Sequence, residues 1–151
     1  MSRENVEIVR RQFGALVREV DRYWERPRSF AAAAAAGDLD PDGREVYDGL
    51  HPDVRWTNVM GEIHEGKLAC TAGVDRLLQA AQEYVVRVDD VTDLGDDRVL
   101  VVIRSEMKGK SSGAPATVSL FTVVTLRDGL IFRSDEYLSR KAALKAVGLE
   151  E

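Results

Sequence analysis

In the N-terminal segment, apolar side chains recur three or four positions apart. These residues are Val6, Val9, Phe13, Leu16, Val17, Val20 and Trp24. Because that spacing places them on one face of a helix, with charged residues opposite, the pattern predicts a long amphipathic helix beginning at about Ser2. We expect it to end near Arg26, because Pro27 disfavours helical geometry in the residue before it.

Capping residues and apolar periodicity predict further helices in the first half of the chain. Ser29 and Gly37 flank Phe30 and six alanines, which is typical of a short capped helix. Asp40-Pro41 begins the next helix, with proline at its first position. Residues 54–57 alternate like a strand, residues 61–66 form a loop or a short edge strand, and residues 72–83 form another helix.

The second half of the chain is predicted to consist mainly of strands. Their ranges are residues 84–92, 99–107, 117–126 and 130–138, followed by a last short helix over residues 140–147. Asp128-Gly129 is a strong signal for a two-residue hairpin turn. Helices followed by consecutive hairpins predict a single α+β domain with an antiparallel sheet, and the length of 151 residues fits one domain.

Two of the predicted strands are apolar on both faces. Residues 99–103 and 118–126 lack the clean polar alternation expected of a sheet with one solvated face. The helices cover one face, and a second subunit is the simplest cover for the other. The pattern therefore predicts a homodimer.

Residue counts exclude several classes of protein and site. With 21 basic and 26 acidic residues the net charge is −5, so no basic excess is present to bind nucleic-acid phosphates. The single cysteine, Cys70, excludes an internal disulfide and a cysteine-rich zinc site. His64-Glu65 begins like a zinc-protease motif, but Leu68 stands where the second histidine must lie. We expect a cytoplasmic protein with no metal, no cofactor and no membrane span.

Several short motifs follow one another along nearly the whole chain, at residues 5–11, 37–40, 51–56, 64–66, 126–131, 135–138 and 142–144. Residues 51–56 read His-Pro-Asp-Val-Arg-Trp, and residues 126–131 read Leu-Arg-Asp-Gly-Leu-Ile. Together these motifs resemble the SnoaL-like family of the nuclear-transport-factor-2-like superfamily. The resemblance implies a cystatin-like cone, in which a strongly curved antiparallel sheet wraps around N-terminal helices and leaves one pocket. An extra helical segment at about residues 22–36 departs from the family pattern and reshapes the pocket mouth.

The family includes enzymes and non-catalytic proteins, so the fold does not decide the chemistry. The comparison with ketosteroid isomerase places Asn58, three residues before Gly61, at the position of that enzyme's general-base aspartate. An amide does not carry a proton away at neutral pH, so steroid-isomerase chemistry is not expected.

Candidate site residues follow from strand alternation and from the implied pocket. The candidate acid–base groups are His64, Asp135 and Glu136, with Asp135 and Glu136 on opposite faces of the last strand. The candidate pocket residues are Tyr23, Trp24, Val54, Trp56, Asn58, Met60, Phe121 and Tyr137. The leading hypothesis is a pocket protein that binds a small, largely apolar molecule, either as a polyketide-cyclase-like, isomerase-like or dehydratase-like enzyme or without catalysis. The alternative is a non-catalytic homodimeric binding or assembly module with a closed cavity.

Overall fold

Within residues 2–110 and 113–149, which the computed structural model describes, the chain forms five helices and six strands. The helices are α1 (Ser2–Glu25), α2 (Phe30–Ala36), α3 (Pro41–Asp48), α4 (Lys67–Ala80) and α5 (Arg140–Ala146). The strands are β1 (Leu50–Thr57), β2 (Ile63–Glu65), β3 (Ala81–Gly95), β4 (Arg98–Gly109), β5 (Pro115–Arg127) and β6 (Leu130–Tyr137). None of the helices in these ranges combines the length and the apolar character needed to cross a bilayer. The predicted α+β class is confirmed.

All six strands belong to one curved sheet in the order β2-β1-β6-β5-β4-β3. Four of the five pairings are antiparallel, but β1 and β6 run parallel, which corrects the expectation of a purely antiparallel sheet. A parallel pair arises here because β1 and β6 are joined by a long connection rather than a hairpin. Register shifts in the β3–β4, β5–β6 and β1–β6 ladders mark bulges, which bend strands and favour the curvature.

The capping and turn residues of the sequence correctly predicted helix α2 and the hairpin turn between β5 and β6. The Ser29 hydroxyl accepts a hydrogen bond from Ala32 N, and Gly37 ends α2 in the left-handed conformation at φ 69°. Asp128 and Gly129 both have positive φ, at 55° and 75°, as a tight hairpin turn requires.

Two boundaries differ from the prediction. Helix α4 begins at Lys67 and ends at Ala80 rather than spanning residues 72–83, because residues 81–83 already pair with β4. Strand β1 begins at Leu50 and includes Pro52, whereas the predicted strand began at residue 54. Pro52 falls in the stretch where the β1–β6 register shifts, so its missing N–H costs no regular ladder bond.

The two faces of the sheet are covered differently. The inner face packs against α1, and the main core joins Val9 and Phe13 of α1 to Val99, Val101 and Val124 of the sheet. On the outer face a second cluster is centred on Leu100, Val123 and Ala143, with Leu94, Phe121, Tyr137 and Val147 packed against it. Helix α5 of the same chain therefore covers part of the face that the sequence assigned to a second subunit. The homodimer stays a prediction.

Candidate functional site

A cavity of about 140 Å³ lies between the helices and the inner face of the sheet. We call it the inner cavity. Its apolar wall consists of Phe13, Leu16, Phe30, Val46, Leu50, Val54, Trp56, Val74, Ile103 and Ile131. Its polar or sulfur-bearing lining residues are Gln12, Cys70, Thr71, Thr122, Ser134 and Glu136. A largely apolar enclosure with a few polar groups is typical of a small-molecule site.

Among the residues that the structure describes, Glu136 is the one carboxylate on the wall of the inner cavity. It lies on β6 opposite Thr122 of β5, and strand alternation turns both residues to the inner face. Its Oε2 accepts a hydrogen bond from the Trp56 indole Nε1 at 2.9 Å, and its Oε1 accepts one from Val59 N at 3.3 Å. Burial raises the pKa of Glu136, and the two hydrogen bonds oppose that shift without cancelling it.

Two further polar groups on the wall have no hydrogen-bond partner within the described part of the chain. They are Gln12 Oε1 and Thr122 Oγ1, on residues that are only 6% and 1% exposed. Buried polar atoms are nearly always hydrogen-bonded, and an unpaired one costs about 1–3 kcal/mol. A hydroxyl group on a ligand in the inner cavity could donate to either atom, and a carbonyl could accept from the Thr122 hydroxyl.

Two glycines allow the polar and aromatic side chains to lie where they do. A Cβ at Gly49 would come within 2.1 Å of the Gln12 side-chain amide, so the amide packs directly on the backbone between α3 and β1. A Cβ at Gly73 would lie 2.8 Å from Trp56 Cζ3 and 3.0 Å from His64 Cε1. The close approach of α4 at Gly73 therefore fixes the Trp56 ring, whose indole N–H binds Glu136.

His64 supports this site from behind and does not line the cavity. It is buried on β2 rather than solvated in a loop, and its ring stacks on Trp56 with centroids 4.7 Å apart. Its Nδ1 lies 3.4 Å from Nη2 of Arg76.

Cys70 lines the inner cavity as a protonated thiol. Burial raises its pKa to about 11, and its Sγ donates a weak hydrogen bond to the His64 carbonyl at 3.6 Å. Across residues 2–110 and 113–149, no three His, Cys, Asp or Glu side chains converge in a way that could hold a metal ion.

The structure separates the residues that the sequence grouped as a pocket. Of the expected residues, Val54, Trp56 and Glu136 line the inner cavity. Asp135, Phe121 and Tyr137 lie on the outer face, where Phe121 pairs with Tyr137 and Asp135 with Val123. These three positions are corrected, because alternation along β5 and β6 turns them away from Glu136.

Asn58 and Met60 belong to the turn after β1. Asn58 Oδ1 accepts hydrogen bonds from Met60 N and Glu62 N, both at 3.0 Å, and its Nδ2 donates to Glu62 Oε1 at 2.9 Å. Met60 is 81% exposed. Neither residue lines the inner cavity, which corrects the expectation, because β1 ends at Thr57 and strand alternation no longer applies beyond it.

A second, larger cavity of about 420 Å³ lies where α1 ends, beside α2 and α4. We call it the outer cavity. Tyr23 lines it, whereas Trp24 packs against the core and donates from its indole Nε1 to the Tyr84 carbonyl at 2.5 Å. The charged residues around the outer cavity are Glu19, Arg22, Glu25, Arg26, Arg28 and Asp40.

Ion pairs surround the outer cavity. Arg22 Nη2 lies 2.7 Å from Asp42 Oδ2, and Arg28 Nη2 lies 3.1 Å from Asp38 Oδ2. Burial raises the pKa of Glu19, although the nearby Arg22 opposes the shift. The Arg22 hydrogen bond lowers the pKa of Asp42.

Gln12 and Thr122 are site residues that the sequence reasoning missed. Gln12 lies beside Phe13 on α1, and only apolar residues were counted toward the inward face of that helix. Thr122 stands between Leu120 and Val124 on the inner face of β5, where a polar residue in an apolar series was an available signal.

Comparison with known proteins adds family and fold. The family model for the SnoaL-like domain matches residues 28–134. No curated protein matches the sequence. An NTF2-like protein of unknown function from Burkholderia pseudomallei superposes with a TM-score of 0.61 at 19% identity, over 96% of this chain and 97% of that chain.

Two other solved structures are similar. A putative SnoaL-like polyketide cyclase from Jannaschia has a TM-score of 0.60 at 21% identity, covering 93% of this chain and 94% of that one. A hypothetical protein with a ketosteroid isomerase-like fold from Catenulispora acidiphila, solved in complex with trimethylamine, has a TM-score of 0.58 at 18% identity, covering 80% and 92%. At identities this low the likenesses establish the fold alone.

Proposed function

This chain belongs to the SnoaL-like domain family, and on that premise we propose that its inner cavity binds a small, largely apolar molecule carrying one oxygen-containing group. The observation that carries the proposal is the Glu136 carboxyl, half-buried on an otherwise mostly apolar wall. Burying a carboxyl in such surroundings is costly, and carboxyls with raised pKa values cluster at functional sites.

The volume of the inner cavity supports a ligand of about one ring. An apolar cavity of about 150 Å³ is large enough to bind benzene. The inner cavity has about 140 Å³, below the range of about 300–1,000 Å³ typical of sites for drug-sized molecules. A molecule with several fused rings does not fit this space.

The polar groups support an oxygen on that ligand. A protonated Glu136 donates a hydrogen bond to a carbonyl, and an ionised Glu136 accepts one from a hydroxyl. The unpaired Gln12 Oε1 and Thr122 Oγ1 lie on the same cavity wall and add partners for the same ligand.

We further propose that Glu136 transfers a proton to or from the bound molecule. Its raised pKa brings the carboxyl closer to neutral pH, where a group exchanges protons most effectively. Asn58 has no part in this proton transfer, since its side chain caps a turn.

Thermal unfolding with benzene, phenol and cyclohexanone tests the proposal. We expect phenol and cyclohexanone to raise the Tm more than benzene, because only they carry an oxygen that can form a hydrogen bond on the cavity wall. A ligand present at about 100 times its Kd stabilises the folded state by about 2.7 kcal/mol, so a tightly bound ligand gives a measurable shift. Glu136→Leu is expected to remove most of the difference between phenol and benzene, because it removes both hydrogen-bonding atoms of the side chain, whereas a glutamine would keep an acceptor and a donor. Asp135→Leu is the matched control, because that carboxylate lies one residue away on the outer face.

The absence of any Tm shift in the unaltered protein would contradict the proposal and favour the non-catalytic module with a closed cavity. Native mass spectrometry of the purified protein adds an independent reading, because a retained small molecule and the predicted homodimer both appear in the measured mass.

A further inference from the structure

The inner and outer cavities share three wall residues. Leu16, Phe30 and Val74 line both, from α1, α2 and α4 respectively. Phe30 is the largest of the three and is only 7% exposed. The two cavities are therefore neighbours, and Phe30 is the aromatic residue of the wall that they share.

Phe30 is held at this place by a buried carboxylate on α4. Asp75, 6% exposed, accepts hydrogen bonds from Phe30 N at 2.8 Å, from Ala31 N at 3.0 Å and from the Ser29 hydroxyl at 2.8 Å. Three bonds to one carboxylate fix the first turn of α2 against α4. The backbone from which the Phe30 ring projects is therefore held in place, and the ring itself is buried in the wall that the two cavities share.

The surroundings of the outer cavity suit the apolar part of a longer molecule. Tyr23, Ala33 and Leu78 contribute apolar surface, and most of the charged lining residues already form ion pairs. A ligand extending from the inner cavity would find apolar surface first and water beyond it. The two volumes together fall in the range of about 300–1,000 Å³ that is usual for small-molecule sites.

We propose that Phe30 is the specificity-determining residue of this site: it closes the inner cavity toward the outer one and limits the ligand to about one ring. This inference rests on the function proposed above. It assigns a purpose to the segment of residues 22–36, which carries Phe30 and forms much of the outer wall.

A series of 4-alkylphenols, from methyl to octyl, tests the limit by isothermal titration. In the unaltered protein we expect the affinity to stop rising after a short chain, because the inner cavity is full. In Phe30→Ala we expect it to keep rising by about fourfold for each added methylene, which corresponds to about 0.8 kcal/mol of apolar burial. Phe121→Ala, an aromatic deletion on the outer face, is the matched control and keeps the short limit.

Each outcome is decisive. Equal chain-length limits in the unaltered protein and Phe30→Ala, with 4-methylphenol bound by both, would overturn the role of Phe30 and leave the proposed function intact. Binding of 4-octylphenol by the unaltered protein as tightly as by Phe30→Ala would do the same. Binding of long phenols by Phe30→Ala alone would support the partition while contradicting ligand binding in the native inner cavity.

If neither protein binds any member of the series, both proposals fail. Should Phe30→Ala not fold, Phe30→Leu carries the test, because it removes part of the ring while retaining apolar volume. It is expected to move the limit by a smaller number of methylenes, and an unchanged limit would again overturn the proposal.

Discussion

The inner and outer cavities of this domain differ in whether the polar groups on their walls have partners within the protein. Four of the six charged residues that line the outer cavity form ion pairs, and the other two are exposed: the paired residues are Glu19, Arg22, Arg28 and Asp40. On the wall of the inner cavity, Gln12 Oε1 and Thr122 Oγ1 are left without a partner. Paired charges near water are typical of a structural surface, whereas unpaired buried polar atoms indicate a place that receives something.

This difference means that the volume of a cavity does not by itself identify the functional site. The outer cavity has three times the volume of the inner one, yet most of its charged lining residues already form ion pairs within the protein. The inner cavity is small, but it holds the carboxyl whose pKa burial raises. We therefore place the chemistry in the smaller space and give the larger one a secondary part.

The first prediction concerns Asp75, which joins the two regions, and it carries the largest expected effect. Asp75→Ala should lower the free energy of unfolding by about 3 kcal/mol, because it leaves the buried N–H of Phe30 without its acceptor and removes two more bonds to a charged group. Urea unfolding measures the loss. Asp53→Ala, which removes an exposed carboxylate, is the control, and a loss no larger than the control's would refute the assigned role of Asp75.

The second prediction concerns the unpaired hydroxyl of the inner cavity. Thr122→Val should raise the free energy of unfolding by about 1 kcal/mol, because it replaces a buried unpaired hydroxyl with a methyl group of similar size. The same variant should bind phenol more weakly than the unaltered protein. A loss of stability in urea unfolding would mean that the hydroxyl is satisfied in the free protein, and the contrast between the two cavities would weaken.

How far the sequence predicts these regions depends on where strand alternation holds. It correctly put Asp135 and Glu136 on opposite faces, but the choice of the inward residue required the register of β6 against β5. Alternation failed for Asn58 because β1 ends at Thr57 and the turn uses the amide side chain.

Residues brought together from distant parts of the chain were beyond prediction. The expected grouping of Trp56 with Phe121 and Tyr137 was wrong in geometry, since Trp56 faces inward beside Glu136 while the other two pack under α5. The Ser29 cap of α2 was predicted, because its signal is local. The hydrogen bonds that Asp75 accepts from the same turn were not predicted, because Phe30 and Asp75 are 45 residues apart in the sequence.

The third prediction uses pH to distinguish Glu136 from the other carboxyls. A carboxyl with a raised native pKa binds more protons folded than unfolded, so it lowers stability as the pH rises from about 4.3, the unfolded value, through the native one. Glu19 acts in the same direction and Asp42 in the opposite one. The stability of the unaltered protein relative to Glu136→Gln should therefore fall across this window and then level off.

Urea unfolding of both proteins, at pH values about one unit apart between about 4 and 8, measures the difference between their free energies of unfolding. Because Glu19 and Asp42 are present in both proteins, their contributions cancel in the difference. Glu19→Gln is the control from the outer cavity. The stability of the unaltered protein relative to Glu19→Gln should also decline as the pH rises, but this variant should respond to phenol as the unaltered protein does. A relative stability of Glu136→Gln that does not change with pH would contradict the raised pKa of Glu136.

The fourth prediction tests the paired charges of the outer cavity and has the smallest expected effect. Arg28 lies 3.1 Å from Asp38 and 3.5 Å from Asp40, but its side chain is 37% exposed and that of Asp38 is 83% exposed. Exposed ion pairs contribute about 0.2–1 kcal/mol, so Arg28→Gln should lower the free energy of unfolding by about 0.5 kcal/mol. The loss should shrink further at about 1 M salt, where the screening length is about 3 Å.

Arg28→Gln should also leave the affinity for phenol unchanged, because the outer cavity takes no part in holding a one-ring ligand. The variant thus tests whether the ion pairs around the outer cavity contribute little to stability and nothing to ligand binding. A stability loss above about 2 kcal/mol, or one insensitive to salt, would mean that this ion pair is shielded from solvent and acts as a structural element. A clear loss of phenol affinity would mean that the two cavities respond as one site even with Phe30 in place, and the partition between them would then be unnecessary.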